Sequence, residues 1–339
     1  MLQPPWIPAF AGKREGGAAY TIGESMTKAV ISALVRPLLE PSIPDGVNVA
    51  WIMSAEEAVR EVVDADIAWV DMHDKQAMRD IMLAGTQLKW VSTLYAGLDH
   101  FPVEELTARG TRVTNGVGIN TVAVAEYAVL GMLSMAKGYA DVVRAADRKE
   151  WLWASPGTIE LYETRALIIG YGAIGSAIGD RLKGFGVEVT GVARTARPDQ
   201  NILGADDWRA RIGDYDWVVI ATPATRETDA LIGADELTAM KPEAILVNIA
   251  RGECVDQDAL IAALKEKSIA GAFLDVTTPE PLPADHELWT LPNVQISMHL
   301  SGRAQTKMFQ RSATLFAENL GRYARDEPLI NEVDLALGY

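Results

Sequence analysis

The sequence predicts an α/β protein built on two doubly wound parallel sheets, and three observations predict it. The chain of 339 residues has the size of two ordinary domains. Short apolar runs alternate with helical stretches twice over, once on either side of a long helical segment. The runs of the second half are apolar almost without interruption, as strands buried on both faces are. Hydrophobic residues make up 49% and charged residues 23%, which supplies two cores and is unlike a disordered chain.

Residues 1–25 are rich in Pro and Gly and have neither a period of 2 nor one of 3.6. Lys13 and Arg14 follow the short WIPAFA stretch instead of preceding it, unlike a signal peptide. The segment reads as a disordered extension, and the folded chain is expected to start at Met26. KAVISALV, VNVAWIM, ADIAWVD, LKWVSTL and TRVTNG then read as strands, with EEAVREVV, KQAMRDIML and VEELTARG as the helices between them. Residues 121–149 are expected to form one long helix joining two domains. RALIIG, VEVTGVA, DWVVIATP, AILVNIA, AGAFLDV and NVQISMH read as six further strands, interleaved with helices such as AIGSAIGDRLKGFG and DQDALIAALKEKS. Six parallel strands fit a complete Rossmann-like dinucleotide-binding sheet. A last helix is expected over about 303–325.

Composition excludes several classes of function. The net charge of −15 repels phosphate backbones and anionic lipid, so no nucleic acid and no membrane surface is expected as partner. No apolar run approaches the roughly 18 residues of a membrane span. One cysteine, Cys254, excludes a disulfide framework within the chain and a Cys-rich zinc site, and a cytoplasmic location fits it. No His, Cys, Asp and Glu set has metal-ligand spacing, so no metal is expected.

Gly170, Gly172 and Gly175, with Ala173 and Ile174 between them, form a G-x-G-x-x-G pattern. Alone it is weak, and a tight strand–helix turn without ligand is its plain alternative. Here it follows a buried strand and opens a helix, which aims backbone N–H groups and a helix N-terminus at a pyrophosphate. The acidic ribose ligand expected at the end of the second strand is missing, because Ala193 stands there, followed by Arg194, Thr195 and Arg197. A guanidinium fork pairs well with a 2′-phosphate, so NADP(H) is expected over NAD(H). A ~100-fold preference needs only about 2.7 kcal/mol. A solvated basic turn is the alternative.

Of four histidines, His299 directly follows a buried strand of the second half, on the edge where open α/β sheets bind ligands. An imidazole there suits proton transfer to a reacting oxygen. Arg251 and Asp275 end two neighbouring strands, and Glu280 follows Asp275 closely. Hydride transfer to a 2-keto acid needs a cation for the carboxylate and the carbonyl, a role for Arg251. It also needs an acid for the developing alkoxide, a role for His299. Glu280 beside that imidazole would fix its tautomer and raise its pKa.

The stretch from Asn248 to Gly302 strongly resembles the D-isomer-specific 2-hydroxyacid dehydrogenases, through Asn248 to Gly252, Asp275-Val276, Glu280-Pro281 and Trp289 to His299. AGLDHF from Ala96, NGVGINTVAVAEYAV from Asn115 and ATPATRETDALI from Ala221 extend the likeness. The resemblance implies a cofactor domain, 121–302, inserted into a flavodoxin-like substrate domain, 26–120 with 303–339. It implies Arg251, Glu280 and His299 as the catalytic trio and Asp275 near the nicotinamide carboxamide. Thr222, Pro223 and Ile249 fall on further cofactor positions. Tyr95, Ala96 and Gly97 fall on the loop whose backbone amides hold the substrate carboxylate, together with Arg251. It also implies a homodimer packed through the cofactor domains. Three departures stand out: Ala193 for the acidic residue, as in NADPH-using glyoxylate/hydroxypyruvate reductases; Met298 where many members have proline; and Tyr95 where glycine is frequent, which would narrow the pocket mouth. The expectation is an NADPH-preferring reductase of small 2-keto acids such as glyoxylate or hydroxypyruvate. An NAD-linked enzyme for another acid and a dinucleotide-sensing corepressor are the alternatives. His100 is a minor candidate for substrate contact. Trp151 and Trp153 suit an interdomain crevice, a dimer contact or plain packing, and Cys254 reads as a small packed residue.

Overall fold

A computed structural model of the chain describes residues 26–98, 100–303 and 305–335; the extension expected over 1–25 lies outside them. Two units result, one from the residues up to Asn120 with those from Ala304 on, the other from Thr121–Arg303.

In the first unit the aliphatic and β-branched runs form β1 (Thr27–Ser32), β2 (Val47–Ile52), β3 (Ile67–Trp69), β4 (Trp90–Ser92) and β5 (Arg112–Thr114). They pair in parallel in the order β2-β1-β3-β4-β5, the flavodoxin-like order. The first strand stops short of the expected Val35. Residues Ala33–Val35 turn as a 3-10 helix into helix Arg36–Leu39, where Pro37 sits in the first turn and needs no donor. Ser54 and Asp74 cap helices Ala55–Glu61 and Lys75–Ala84 by accepting the amides of Glu57 and Ala77. The C-terminal helix, Gln305–Ala324, belongs to this unit because its apolar stripe has partners on the sheet: Phe316 stacks on Trp69 and Trp90 at centroid distances of 4.9 and 4.8 Å.

The second unit contains β6 (Arg165–Ile169), β7 (Glu188–Val192), β8 (Ile202–Leu203), β9 (Trp217–Ile220), β10 (Ile245–Asn248), β11 (Gly271–Leu274) and β12 (Val294–Ile296). All are parallel, in the order β12-β11-β10-β9-β6-β7-β8. The order reverses between β6 and β9, and in such sheets the crevice outside the strand ends at that switch point is where ligands bind. The six expected strands are joined by β8, too short at two residues for any periodicity. The long helix expected over 121–149 is two helices, Thr121–Lys137 and Tyr139–Asp147. Gly138 breaks them with a left-handed φ of 59°, and the backbone of Pro156 and Gly157 leaves no room for a Cβ there.

Candidate active site

The glycine loop leaves β6 at the switch point. Gly170 has φ 96°, and a Cβ on it would lie 2.6 Å from the Ala221 backbone. A Cβ on Gly175 would lie 2.2 Å from the Gly170 carbonyl oxygen. The fold itself therefore requires these two glycines. Gly172 is different, since a Cβ there would meet nothing within 4 Å. Its open face, directly ahead of helix Ala173–Lys183, is a cradle for a group that must approach the backbone closely. Ala173 and Ile174 form the first turn of that helix. Tyr171 anchors the loop, donating its N–H to Val192 O at 2.7 Å and laying its ring where Gly179 and Gly191 leave space.

Past β7 the chain carries half-buried Ala193, then exposed Arg194, Thr195, Ala196 and Arg197. Arg197 N donates to Ile202 O at 2.8 Å and Ile202 N to Arg197 O at 3.1 Å, closing this basic turn. Thr222 and Pro223 follow β9, and the Thr228 hydroxyl donates to Pro223 O at 2.7 Å, folding that loop on itself. Ile249, buried, follows β10.

Arg251 is placed by its neighbours. The Asn248 side chain donates to Arg251 O at 2.8 Å and accepts from Ala250 N at 3.0 Å, so one amide brackets the turn. A Cβ at Gly252 would fall 2.3 Å from the backbone of Thr277, so only glycine lets this turn lie against the end of β11. Asp275, 1% exposed, organises the next loop. Its Oδ1 accepts from Ser297 Oγ at 2.6 Å, Leu300 N at 3.1 Å and Ser301 N at 3.3 Å. Its backbone carbonyl accepts from His299 N at 2.5 Å. These bonds hold Met298 and His299 at φ 54° each, a left-handed conformation that costs a residue with a Cβ of order 1 kcal/mol or more. Asp275 Oδ2 is buried without a hydrogen-bond partner.

Glu280 Oε1 accepts from Thr277 N at 3.2 Å, and Oε2 faces His299 Nδ1 at 2.7 Å. The carboxylate makes Nδ1 the protonated donor and leaves Nε2 as the nitrogen free to exchange a proton. Burial pushes the Glu280 pKa up, but the bond and charge of His299, the Thr277 amide and Arg251 outweigh it and hold the carboxyl below its ordinary value. The His299 side chain is 43% exposed, open to a reactant.

A nicotinamide dinucleotide fits these residues. Gly172 offers the open cradle, and the orphaned Asp275 Oδ2 is an acceptor awaiting a donor such as a carboxamide N–H₂. Among the described residues no group of three or more His, Cys, Asp or Glu is placed to hold a metal ion, and no helix is long and apolar enough to cross a membrane.

In the first unit, Tyr95, Ala96 and Gly97 follow β4. The Tyr95 N–H donates to Thr93 Oγ1 at 3.1 Å, so the donors left to this loop are those of Ala96 and Gly97. The Tyr95 ring packs on its own unit's core, with its hydroxyl directed at Met72 O (3.4 Å) and His100 edge-on at 5.3 Å. Cys254 is buried, which pushes its thiol pKa up and makes it a packing residue. Trp151 and Trp153 are 78% and 93% exposed. Asp71, Thr93 and Ser297 belong to no motif, and their one sequence signal is a polar residue just beyond the carboxyl end of a strand.

The profile of the D-isomer specific 2-hydroxyacid dehydrogenase NAD binding domain matches residues 129–301. Glyoxylate reductase of Thermococcus litoralis is 36% identical over 282 residues, 80% of this chain and 83% of that protein. Human glyoxylate reductase/hydroxypyruvate reductase is 34% identical over 294 residues, 83% of this chain and 88% of its own. Among solved structures, the NADPH-dependent glyoxylate/hydroxypyruvate reductase of Sinorhizobium meliloti, in complex with NADP and malonate, superposes with a TM-score of 0.75. It is 25% identical, and the match covers 93% of this chain and 98% of that one.

Proposed function

The chain belongs to the D-isomer-specific 2-hydroxyacid dehydrogenases, and from that premise we propose that it is an NADPH-preferring reductase of glyoxylate or hydroxypyruvate. The observation that carries the reading is the His299–Glu280 pair, 2.7 Å apart, on the sheet whose switch point bears the glycine loop. The second unit is the proposed cofactor domain, with Gly170, Gly172, Ala173, Ile174, Gly175, Thr222, Pro223, Ile249 and Asp275 as cofactor contacts. Arg194, Thr195 and Arg197 would take the 2′-phosphate, and the missing carboxylate at Ala193 removes the group that would repel it. The first unit is the proposed substrate domain, with the Ala96 and Gly97 amides for the substrate carboxylate.

A reduced nicotinamide held by the glycine loop and Asp275 would supply the hydride that the keto carbon needs. Arg251 binds the carboxylate and polarises the carbonyl, so negative charge growing on the oxygen meets a fixed cation. His299 Nε2 delivers the proton that turns this oxygen into a hydroxyl, while Glu280 stabilises the imidazolium before transfer and holds the ring in place after it.

A homodimer is part of the proposal. Tyr139, Trp151, Trp153, Tyr162 and Phe185 are exposed large apolar side chains of the second unit, the kind of surface that subunit contacts cover. Sedimentation of wild type against Trp153→Glu tests it, and a monomeric wild type would overturn it. A cytoplasmic setting, where the single thiol stays reduced, completes the reading.

The reading is tested by following NADPH and then NADH absorbance with glyoxylate, hydroxypyruvate, pyruvate and phenylpyruvate. Fast turnover of a small acid with NADPH is expected. Faster turnover with NADH would overturn the phosphate assignment alone, and tight cofactor binding without turnover would overturn the reductase.

A further inference from the structure

The carboxyl edge of the first sheet holds a hydrogen-bond network that no motif in the sequence contains. Asp71 lies just past β3 and gathers three donors: Thr93 Oγ1 to Oδ1 at 2.6 Å, and Leu94 N and Trp69 Nε1 to Oδ2, each at 2.7 Å. A threonine hydroxyl has one proton. With that proton committed to Asp71, its lone pairs face the other way, and there the Tyr95 N–H donates to it at 3.1 Å. An ionised carboxylate is an acceptor only, so it alone among side chains of this size dictates the direction of the relay without ambiguity.

The far side of the turn is held as well. Tyr95 O accepts from Gly116 N at 2.7 Å, and Ala96 O accepts from Asn115 Nδ2 at 2.9 Å. In a trans peptide a carbonyl and the following N–H point in opposite directions. Turning both carbonyls toward Asn115 and Gly116 therefore turns the N–H groups of Ala96 and Gly97 to the opposite side, together, as adjacent donors for one anion.

We propose that Asp71, acting through Thr93, is a positioning residue that sets the turn at 95–97 so that the Ala96 and Gly97 amides form the receptor for the substrate carboxylate. This rests on the assignment of that turn to carboxylate binding made above. Burial pushes the Asp71 carboxyl up to about 6. A buried carboxylate that only braced two strands would cost more than a hydroxyl or amide in its place. Its use is explained by a demand for an acceptor of fixed sense beside a turn whose donors must stay free.

The experiment compares wild type, Thr93→Val, Thr93→Ser and Asp71→Asn with glyoxylate at saturating NADPH. The carboxylate is held equally before and at the transition state, so losing the turn's geometry should appear mainly in KM. Thr93→Val and Asp71→Asn are expected to raise KM about tenfold, with a smaller change in kcat and NADPH affinity kept. Thr93→Ser, which restores the hydroxyl, returns KM to within about threefold of wild type. Unchanged KM in Thr93→Val, or no recovery in Thr93→Ser, overturns the proposal. If wild type reduces none of the keto acids, the proposed function fails instead, and amide hydrogen exchange decides the network's role. Exchange at residues 95–97 at least tenfold faster in Thr93→Val supports it, and unchanged exchange overturns it.

Discussion

His299 Nδ1 and Glu280 Oε2 stand 2.7 Å apart although 19 residues separate them in the chain. Two adjacent left-handed residues, Met298 and His299, create that meeting, and Asp275 holds them there through backbone and side-chain bonds. Asp275 thus shapes the loop with one oxygen, and its other oxygen, buried without a hydrogen-bond partner, is the one proposed to meet the cofactor.

His299→Ala removes the proposed proton donor and nothing from the glycine loop. The expected result is a loss of about 10²–10⁴ in kcat for glyoxylate with NADPH affinity within a few-fold of wild type. Steady-state rates and quenching of NADPH fluorescence measure the two. Near-normal turnover in this variant would remove His299 from the acid role.

Arg194→Ala tests the cofactor preference. Losing a charge-assisted fork to the 2′-phosphate should lower kcat/KM for NADPH by roughly 100-fold, about 2.7 kcal/mol, and leave that for NADH nearly as it was. Equal losses with both cofactors would mean that Arg194 holds the fold of the turn and not the phosphate.

The glycines of the loop separate a structural from a binding requirement. Gly175→Ala places a methyl 2.2 Å from a backbone oxygen and should destabilise the protein by about 2 kcal/mol or more. Gly172→Ala meets no protein atom within 4 Å, so it should melt like wild type while binding NADPH at least tenfold more weakly. Thermal melts and cofactor titration read both. A Gly172→Ala protein with full cofactor affinity would show that nothing approaches this backbone.

Much of this was legible in the chain because strands buried on both faces announce themselves by composition, and because chemistry-bearing residues cluster at their ends: Gly170 after β6, Arg251 after β10, Asp275 after β11, His299 after β12. What escaped depends on pairs that only the fold brings together. Asp71 and Thr93 are 22 residues apart, and an aspartate ending ADIAWVD is indistinguishable in sequence from one that faces water. The break at Gly138 was hidden because a single glycine in an apolar helical stretch is usually tolerated, and the neighbours that demand a left-handed turn there, Pro156 and Gly157, lie beyond the helix. β8 has two residues and takes its strand character from pairing with Gly191 and Val192.

The buried position of Asp71 has a thermodynamic signature. Its carboxyl is pushed from the ordinary 3.8 up to about 6, chiefly by burial, with the bonds from Thr93, Leu94 and Trp69 pulling against it. The folded chain therefore keeps this proton over a range where the unfolded chain has lost it. Folded protein then binds more protons than unfolded, so stability contributed by this group falls as pH rises from about 3.8 to 6 and stays level above. A shift of this size corresponds to roughly 3 kcal/mol. Asp71→Asn has no such titration. In urea unfolding at pH 4, 5, 6 and 7, the stability of wild type minus that of Asp71→Asn should decline by up to ~3 kcal/mol between pH 4 and 7, with the fall complete just above 6. Subtracting the variant removes every other carboxylate that titrates over the same range. A difference that stays flat would mean that Asp71 ionises as freely in the fold as in water, and that its donors offset its burial completely.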